Sequence, residues 1–449
     1  MGSRTRRRSL LDHPARYVVA GFVVVILVGS GLLMLPWSTQ AGTTTSPLQA
    51  VFTATSAVTV TGLAVVDTGA HWSGLGQAVI LVMVQVGGLG FMTVSSLLVL
   101  LISRQLGLRR RLVTNEEREA LSLGDLRDVL LGVGIITVAV QGFVAVVLAL
   151  RLWWGYDVGI GTAVWSGAFH AVMAFNNAGF SLYQDSLIGF SSDWFVLVPI
   201  MGAVIIGGLG FPVLVDLRRV RGRWRDLTLH SKVTLSATGA LLVLGVVLLS
   251  ALEWSNPATL GPMPLTDKAL NGVFASVTPR TAGFNSIDVA SMQPQSQLAT
   301  IGLMFIGAGS AGTSGGIKVS TFAILALVIW SQLRGDADVT GFHRRIPDAT
   351  QRRAITVSLL AVALVVSATG FLLISAETSL GDAFFEAVSA FGTVGLSTGI
   401  TPDLPAGDQL VLMALMLIGR VGPITLGAAL VLRAQPSRYR LPEEGPLIG

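Results

Sequence analysis

Hydrophobic residues in this chain run in long blocks, and the polar residues gather between the blocks instead of alternating at the period of a surface helix or strand. Basic segments at 1–16, 102–128, 216–232, 331–353 and 433–449 bound four such blocks. A block that leaves a bilayer and returns must cross it twice, and one crossing takes about 20 apolar residues. The first crossings fall near 16–36, 129–153, 233–252 and 354–375, the second near 74–102, 193–215, 295–331 and 407–433. The arginine-rich start resembles a secretion signal, but no small-residue cleavage site follows its apolar stretch, so 16–36 is read as a retained span. The pattern predicts an all-α polytopic membrane protein with eight full spans.

Between the two spans of each block lies a linker of one design. The four read FTATSAVTVTGL (52–63), FHAVMAFNNAGF (169–180), FASVTPRTAGF (274–284) and FEAVSAFGTVGL (385–396). The phenylalanine precedes the glycine by 10, 10, 9 and 10 residues, and Gly62, Gly179, Gly283 and Gly395 recur at intervals of 117, 104 and 112. Four phased copies define four repeats. An apolar helix too short to span, followed by non-helical backbone, fits a re-entrant segment, because free carbonyls at membrane depth are tolerated only inside protein or along a water-filled path. Four such loops around one central pore would present a ring of carbonyls able to replace a cation's hydration shell. Glycine suits backbone conformations closed to residues with a Cβ, and each short helix would aim its negative C-terminal end at the ion. Thr59-Val60-Thr61-Gly62 is similar to the TVGYG type of potassium filter. Asn176-Asn177-Ala178-Gly179, Arg280-Thr281-Ala282-Gly283 and Gly392-Thr393-Val394-Gly395 are its degenerate counterparts. Arg280 would repel a cation, so its side chain is expected behind the loop, with Glu386 or Asp288 as partner.

One span is interrupted. GAGSAGTSGGIKVST (307–321) lies between LATIGLMFI and FAILALVIW and carries Lys318. Gly307, Gly309 and Gly312 spell GxGxxG, but no strand–turn–helix unit surrounds them and no acid follows until Asp336, so a dinucleotide site is not supported. Gly312–Gly315 spell GxSG, the form of an intramembrane serine protease, yet Ser314 has no histidine base, since only His170 falls at membrane depth and on the opposite side. Lys318 does not follow a glycine, which excludes a Walker-type loop. Lys318 and Arg420 both fall inside second spans, where a cation costs about 2.5 kcal/mol or more and by default marks function.

Composition sharpens this picture. Only 12% of the 449 residues are charged and 52% are hydrophobic, against about 25% charged in soluble domains. There is no cysteine, so disulfides and thiol chemistry are excluded, and the five histidines show no metal-ligand spacing. Of 30 Lys and Arg, 25 lie in the termini and three internal loops. That is the positive-inside pattern, with both termini cytoplasmic, and it accounts for the runs RTRRR and RRVRGRWR without nucleic acid.

On these residues the chain resembles the superfamily of potassium transporters built from four span–pore-helix–filter-loop–span units, and most closely its Ktr-type bacterial potassium-translocating subunit. TVTGL (59–63), AFNNAGFSL (174–182), SVTPRTAGFNS (276–286) and AFGTVGLSTG (390–399) carry the resemblance. Trk-type relatives carry a further span pair ahead of the first repeat; here the first filter follows a single span, which favours the Ktr type. The resemblance implies potassium uptake across a bacterial cell membrane, not enzymatic catalysis, with K+ held by the filter carbonyls. Glycine in all four filters implies potassium selectivity, since a serine in the first accompanies sodium preference in plant relatives. It also implies an intramembrane gating loop at 307–318. Gly307, Gly309, Gly312, Thr313, Ser314, Gly315, Gly316 and Lys318 form that loop, and Arg420 lies beside it as part of the barrier. The implied organisation is a basic N-terminus (1–15), repeats at 16–102, 129–215, 233–331 and 354–433, and a cytoplasmic tail (434–449). No loop is long enough to bind a nucleotide. The family instead implies a homodimer resting on a cytoplasmic ring of nucleotide-binding regulatory subunits (KtrA-like), where ATP and ADP set the gate. The basic loops, the run RRRLVTNEEREALSLGDLR (109–127) and the tail are the expected contact surfaces. Apart from K+ as substrate, no cofactor is expected in this chain. The family includes sodium-dependent members, so Na+ activation or coupling stays open, as does an alternating-access cation symporter.

Overall fold

The computed structural model describes residues 14–111 and 123–432. The N-terminal residues before 14, the centre of the 109–127 run and the tail at 434–449 lie outside the described residues. Apart from one two-residue hairpin (Thr340–Gly341 with Arg344–Arg345), the described chain is helical or loop.

Its helices fall into four sets. The first holds α1 (Pro14–Leu33), α2 (Pro47–Thr59), the one-turn α3 (Thr68–His71) and α4 (Gly74–Arg111). The second holds α5 (Leu123–Gly155), α6 (Ile160–Asn176), α7 (Trp194–Leu209) and α8 (Phe211–Arg219). The third holds α9 (Leu229–Glu253), α10 (Leu265–Val277), α11 (Pro294–Phe305) and α12 (Val319–Arg334), and the fourth α13 (Asp348–Ser375), α14 (Leu380–Gly392) and α15 (Ala406–Leu432).

Short and long helices alternate for local reasons. α2 starts where Ser46 and Gln49 form a capping box with Pro47 in the first turn, and α14 starts where the Ser379 hydroxyl takes the Asp382 N–H. At 13 residues each, α2 and α14 reach about 20 Å, short of a bilayer core. Among the described residues, three helical stretches can cross alone by length and apolarity: Leu131–Gly155, Leu229–Glu253 and Asp348–Ser375. They turn Ile135, Val138, Val243, Val247 and Val366 outward, as lipid-facing helices do.

The expected second span at 193–215 is not one continuous helix. α7 and α8 meet at 93° around Gly210, whose φ is +90°. The sequence pattern predicts one interrupted span, in the third repeat, and the structure contains two. Pro212 is the local cause: it has no N–H for the Gly208 carbonyl one turn back.

The buried apolar residues form two large clusters. One joins the first and second repeats and takes in Leu270, Phe274, Val277, Ala282 and Phe284 of the third. The other joins the third and fourth and includes Phe52 and Leu63 of the first, so the last repeat packs back on the first.

Candidate functional site

α2, α6 and α14 end alike. Val60, Asn177 and Thr393 take left-handed φ of 59°, 59° and 50°, and their N–H groups reach back to Ala57, Ala174 and Ala390. The next N–H in each case bonds the carbonyl five residues earlier, on Ser56, Met173 and Ser389. This closure satisfies helix-end carbonyls and turns the chain sharply. Two residues after the left-handed position stand Gly62, Gly179 and Gly395, with φ of 90°, 67° and 91°.

The third repeat reaches the same place by a shorter route. Thr281 (φ 71°) precedes Gly283 (φ 75°), and the closing bond, Ala282 N–H to Thr278 O, spans four residues instead of five. That missing residue accounts for the spacing of nine between Phe274 and Gly283.

The four glycines form a closed cycle. A Cβ added at Gly62 would collide with the carbonyl oxygen of Ala178, and one at Gly283 with that of Val394. At Gly395 the obstacle is the Thr61 carbonyl, and at Gly179 it is the Gly283 Cα at 2.8 Å and the Ala282 oxygen at 3.0 Å. Each glycine therefore abuts the residue just before the glycine of the next repeat, and the fourth abuts the first. Thr59, Thr61, Asn176, Asn177, Ala178, Arg280, Thr281, Ala282, Thr393 and Val394 are all buried around this cycle.

Polar side chains brace the loops from behind. Ser56 Oγ accepts the Gly62 N–H at 3.0 Å, and Ser389 Oγ the Gly395 N–H at 3.2 Å. Asn176 donates to Gln85 on α4 at 2.8 Å, and Gln141 on α5 donates to the same oxygen at 3.0 Å. Asn177 meets the Thr281 hydroxyl at 3.3 Å. His170 lies between Ser166 and Ser181, with Nδ1 2.8 Å from the Ser166 carbonyl.

Arg280 does not pair as expected. Glu386 accepts from Ser397, the Thr398 N–H and Thr401, and Asp288 accepts from the Ala290 N–H and Ser291. The Arg280 guanidinium instead donates Nη2–H to the Gly307 carbonyl at 3.3 Å, at the start of the interrupted segment.

That segment, 306–318, is a folded loop. Its ends are bridged by Gly307 N–H to Ile317 O (2.8 Å) and Val319 N–H to Ala308 O (3.0 Å). Ser314 Oγ accepts the Ala308 N–H at 3.2 Å, and Ser310 meets Ser320 at 2.9 Å. The loop docks on the break in the second repeat, with Gly309 N–H to Gly208 O (2.8 Å) and Thr313 N–H to Gly207 O (3.2 Å). In return the Phe211 N–H faces the Ala311 carbonyl at 3.4 Å. The carbonyls left over where α7 stops are the ones the loop uses.

The loop also touches the glycine cycle and the fourth repeat. Gly315 leaves no room for a side chain against the Thr393 hydroxyl, Gly312 none against Gly208 O, and Gly316 (φ 63°) lies against Gly392. Arg420, fully buried on α15, donates to Thr313 O and, at 3.3 Å, to Gly87 O on α4. Lys318 donates to Ser314 O. Residues 307–318 and Arg420 thus lie in or against one assembly that touches the cycle at Gly392 and Thr393. Ser314 holds backbone within it and faces no histidine, so the nucleophile reading gains nothing.

A second internal repeat escaped the sequence reading. Gly87-Gly88-Leu89-Gly90, Gly207-Gly208-Leu209-Gly210, Gly307-Ala308-Gly309 and Gly419-Arg420-Val421-Gly422 follow their loop glycines by 25, 28, 24 and 24 residues. Gly87, Gly207 and Gly419 each press on a carbonyl, of Val58, Phe175 and Phe391, four residues before the loop glycine of their own repeat. The phased spacing was available as a signal. It also places Arg420 where two other repeats have glycine.

The chain is similar to known cation transport proteins. A family model described as TrkH, Cation transport protein, matches residues 8–438. The chain is 38% identical over 433 residues to the Ktr system potassium uptake protein B of Bacillus subtilis strain 168, covering 96% of this chain and 95% of that one. It is 37% identical over 456 residues to the potassium/sodium uptake protein NtpJ of Enterococcus hirae, covering 100% and 99%. The crystal structure of the potassium transporter TrkH from Vibrio parahaemolyticus superposes with a TM-score of 0.70 at 16% identity, covering 96% of this chain and 87% of that one. At that identity the likeness is one of fold.

Proposed function

The chain belongs to the TrkH cation transport protein family, and we propose that it takes potassium up across the cell membrane through a filter made by the four glycine loops. The observation that carries this reading is the closed cycle in which each loop glycine abuts the neighbouring repeat's backbone. Such a cycle fixes the carbonyls of residues 59–62, 176–179, 280–283 and 392–395 relative to one another, which a cation filter requires. Eight crossings in four repeats, with both termini and the basic loops cytoplasmic, complete the proposal.

Segment 306–318 is the proposed gate. It is held shut by the α7 break, Arg280, Lys318 and Arg420, and the buried charges of Lys318 and Arg420 add an electrostatic barrier. The relatives named for a Ktr system support assembly with a regulatory partner. We assign that partner the form of a cytoplasmic nucleotide-binding ring, bound by a homodimer and switched by ATP and ADP. Sodium, named with potassium for the Enterococcus relative, is the candidate activator.

Cation flux into liposomes holding the purified protein tests the reading. Potassium should pass in preference to sodium and lithium, and equal passage of all three refutes the filter. Shortening 309–316 should raise flux without the partner, and unchanged flux refutes the gate.

The second broken helix gives an alternating-access cation symporter one supporting observation, since paired discontinuous helices mark such transporters. Here, however, the two breaks bond to each other and form a single plug. A sodium gradient that drives potassium against its own gradient would favour the symporter.

A further inference from the structure

The 93° turn at Gly210 sends α8 away from the axis of α7. If α7 crosses the bilayer, α8 runs along its plane for about 14 Å. Phe211, Val213 and Asp216 face inward, and Val215, Arg218 and Arg219 face out. Asp216 is spent on the protein: it takes the Thr228 N–H, the Thr228 and Ser231 hydroxyls and Arg219 at 2.7–2.9 Å, which ties α8 to the start of α9. Beyond α8, Arg221, Arg223 and Arg225 are exposed, with Asp226 as their acidic neighbour. Trp224 lies among them, 46% exposed, with its ring 6.2 Å from that of Phe342, itself 42% exposed. An in-plane helix with apolar and aromatic residues beside arginines is the form of an interfacial anchor, and the guanidinium fork suits phosphate oxygens.

We propose that α8 and the 218–225 loop bind the headgroups of anionic phospholipids and thereby bias the 306–318 segment; this rests on the gate reading above. The link is short. The first residue of α8, Phe211, faces Ala311 O, and Gly210 lies against Ser310 O. Gly207 and Gly208, just before the turn, hold Thr313 and Gly309. A pull on α8 is therefore a pull on the backbone of the plug.

The test uses the full chain and the variant Arg221→Gln/Arg223→Gln/Arg225→Gln. Phosphatidylglycerol retained by the solubilised protein is measured by native mass spectrometry. Potassium flux is measured in vesicles of phosphatidylcholine alone and with about one part in four phosphatidylglycerol. Each arginine near an anionic surface contributes about fivefold to binding, so the variant should retain at least tenfold less phosphatidylglycerol. Wild-type flux should change at least threefold between the two vesicles and the variant's should not, with equal flux in neutral vesicles. The proposal is overturned if both proteins respond alike to lipid. It is also overturned if wild-type flux ignores lipid while the variant loses capture of the soluble regulatory partner, because the surface is then a protein contact. Lipid retention does not depend on the gate, so a failed gate reading would show separately, as unchanged partner-free flux on shortening 309–316.

Discussion

Replacing the loop glycines one at a time with alanine tests the closed cycle directly. At Gly62 and Gly395 the added Cβ would stand well inside the 3.0 Å that real Cβ atoms essentially never breach, and the obstacle is backbone, which cannot swing away. The neighbouring loop would have to move by about 1 Å in a close-packed interior. Both positions also have φ near 90°, so a side chain adds about 1–3 kcal/mol of strain. Gly283 combines a backbone collision with a φ of 75°, nearer the left-handed well. Gly179 is the mildest, with φ 67° and its nearest obstacle at 2.8 Å. A loss of about 1.4 kcal/mol in the difference between two ions lowers the preference tenfold. Gly62→Ala and Gly395→Ala should therefore lower the potassium-to-sodium flux ratio by about tenfold or more, Gly283→Ala by less, and Gly179→Ala least. Gly142→Ala, in the middle of α5 with no atom within 4 Å of the new methyl, is the control and should leave the ratio unchanged. Flux ratios in liposomes, with melting temperatures to certify folding, read the series. Equal loss at all four loop sites, or a preserved ratio at Gly62, would refute the steric argument.

Other substitutions probe the scaffold. Arg280→Gln removes a charged donor to Gly307 O worth about 1.5–3 kcal/mol, and should raise partner-free potassium flux by about tenfold; flux no higher than wild type would show that this bond does not hold the plug. Arg420→Gln should also raise flux, and the double variant should fall short of the sum of the two effects because both guanidiniums hold the same segment; strict additivity would show that they act on separate elements. Asp216→Asn takes the charge from a carboxylate with four donors and should lower unfolding stability by about 1–3 kcal/mol, read as a fall in melting temperature, while the ion ratio stays as it was.

Much of this was legible in the letters because it is periodic. Four phased linkers gave the four short helices, and the bounds of α5, α9, α13 and α15 fall within a few residues of the apolar blocks. The nine-residue spacing at Phe274–Gly283 was visible, but its cause, a four-residue closing bond, is a backbone detail. The break at Gly210 was signalled by Gly-Phe-Pro, yet Val213, Leu214 and Val215 continue the apolar pattern and hid it. Arg280 shows the harder limit. Charge matching pointed to Glu386 and Asp288, whereas those carboxylates were already satisfied locally and the guanidinium took a carbonyl 27 residues away. A carbonyl exists at every position, so sequence carries no trace of which one an arginine will choose.

The stop in α7 has one more consequence. Pro212 and the turn at Gly210 leave the Gly207 and Gly208 oxygens without helix partners, and Thr313 and Gly309 of segment 306–318 supply them. If segment 306–318 is a gate and withdraws, those oxygens, and the N–H groups that left them, need new partners, and at membrane depth, where hydrocarbon offers none, each orphan costs several kcal/mol. Only water can follow. Opening and wetting are then a single event, and the open fraction should fall under osmotic stress from a solute too large to enter.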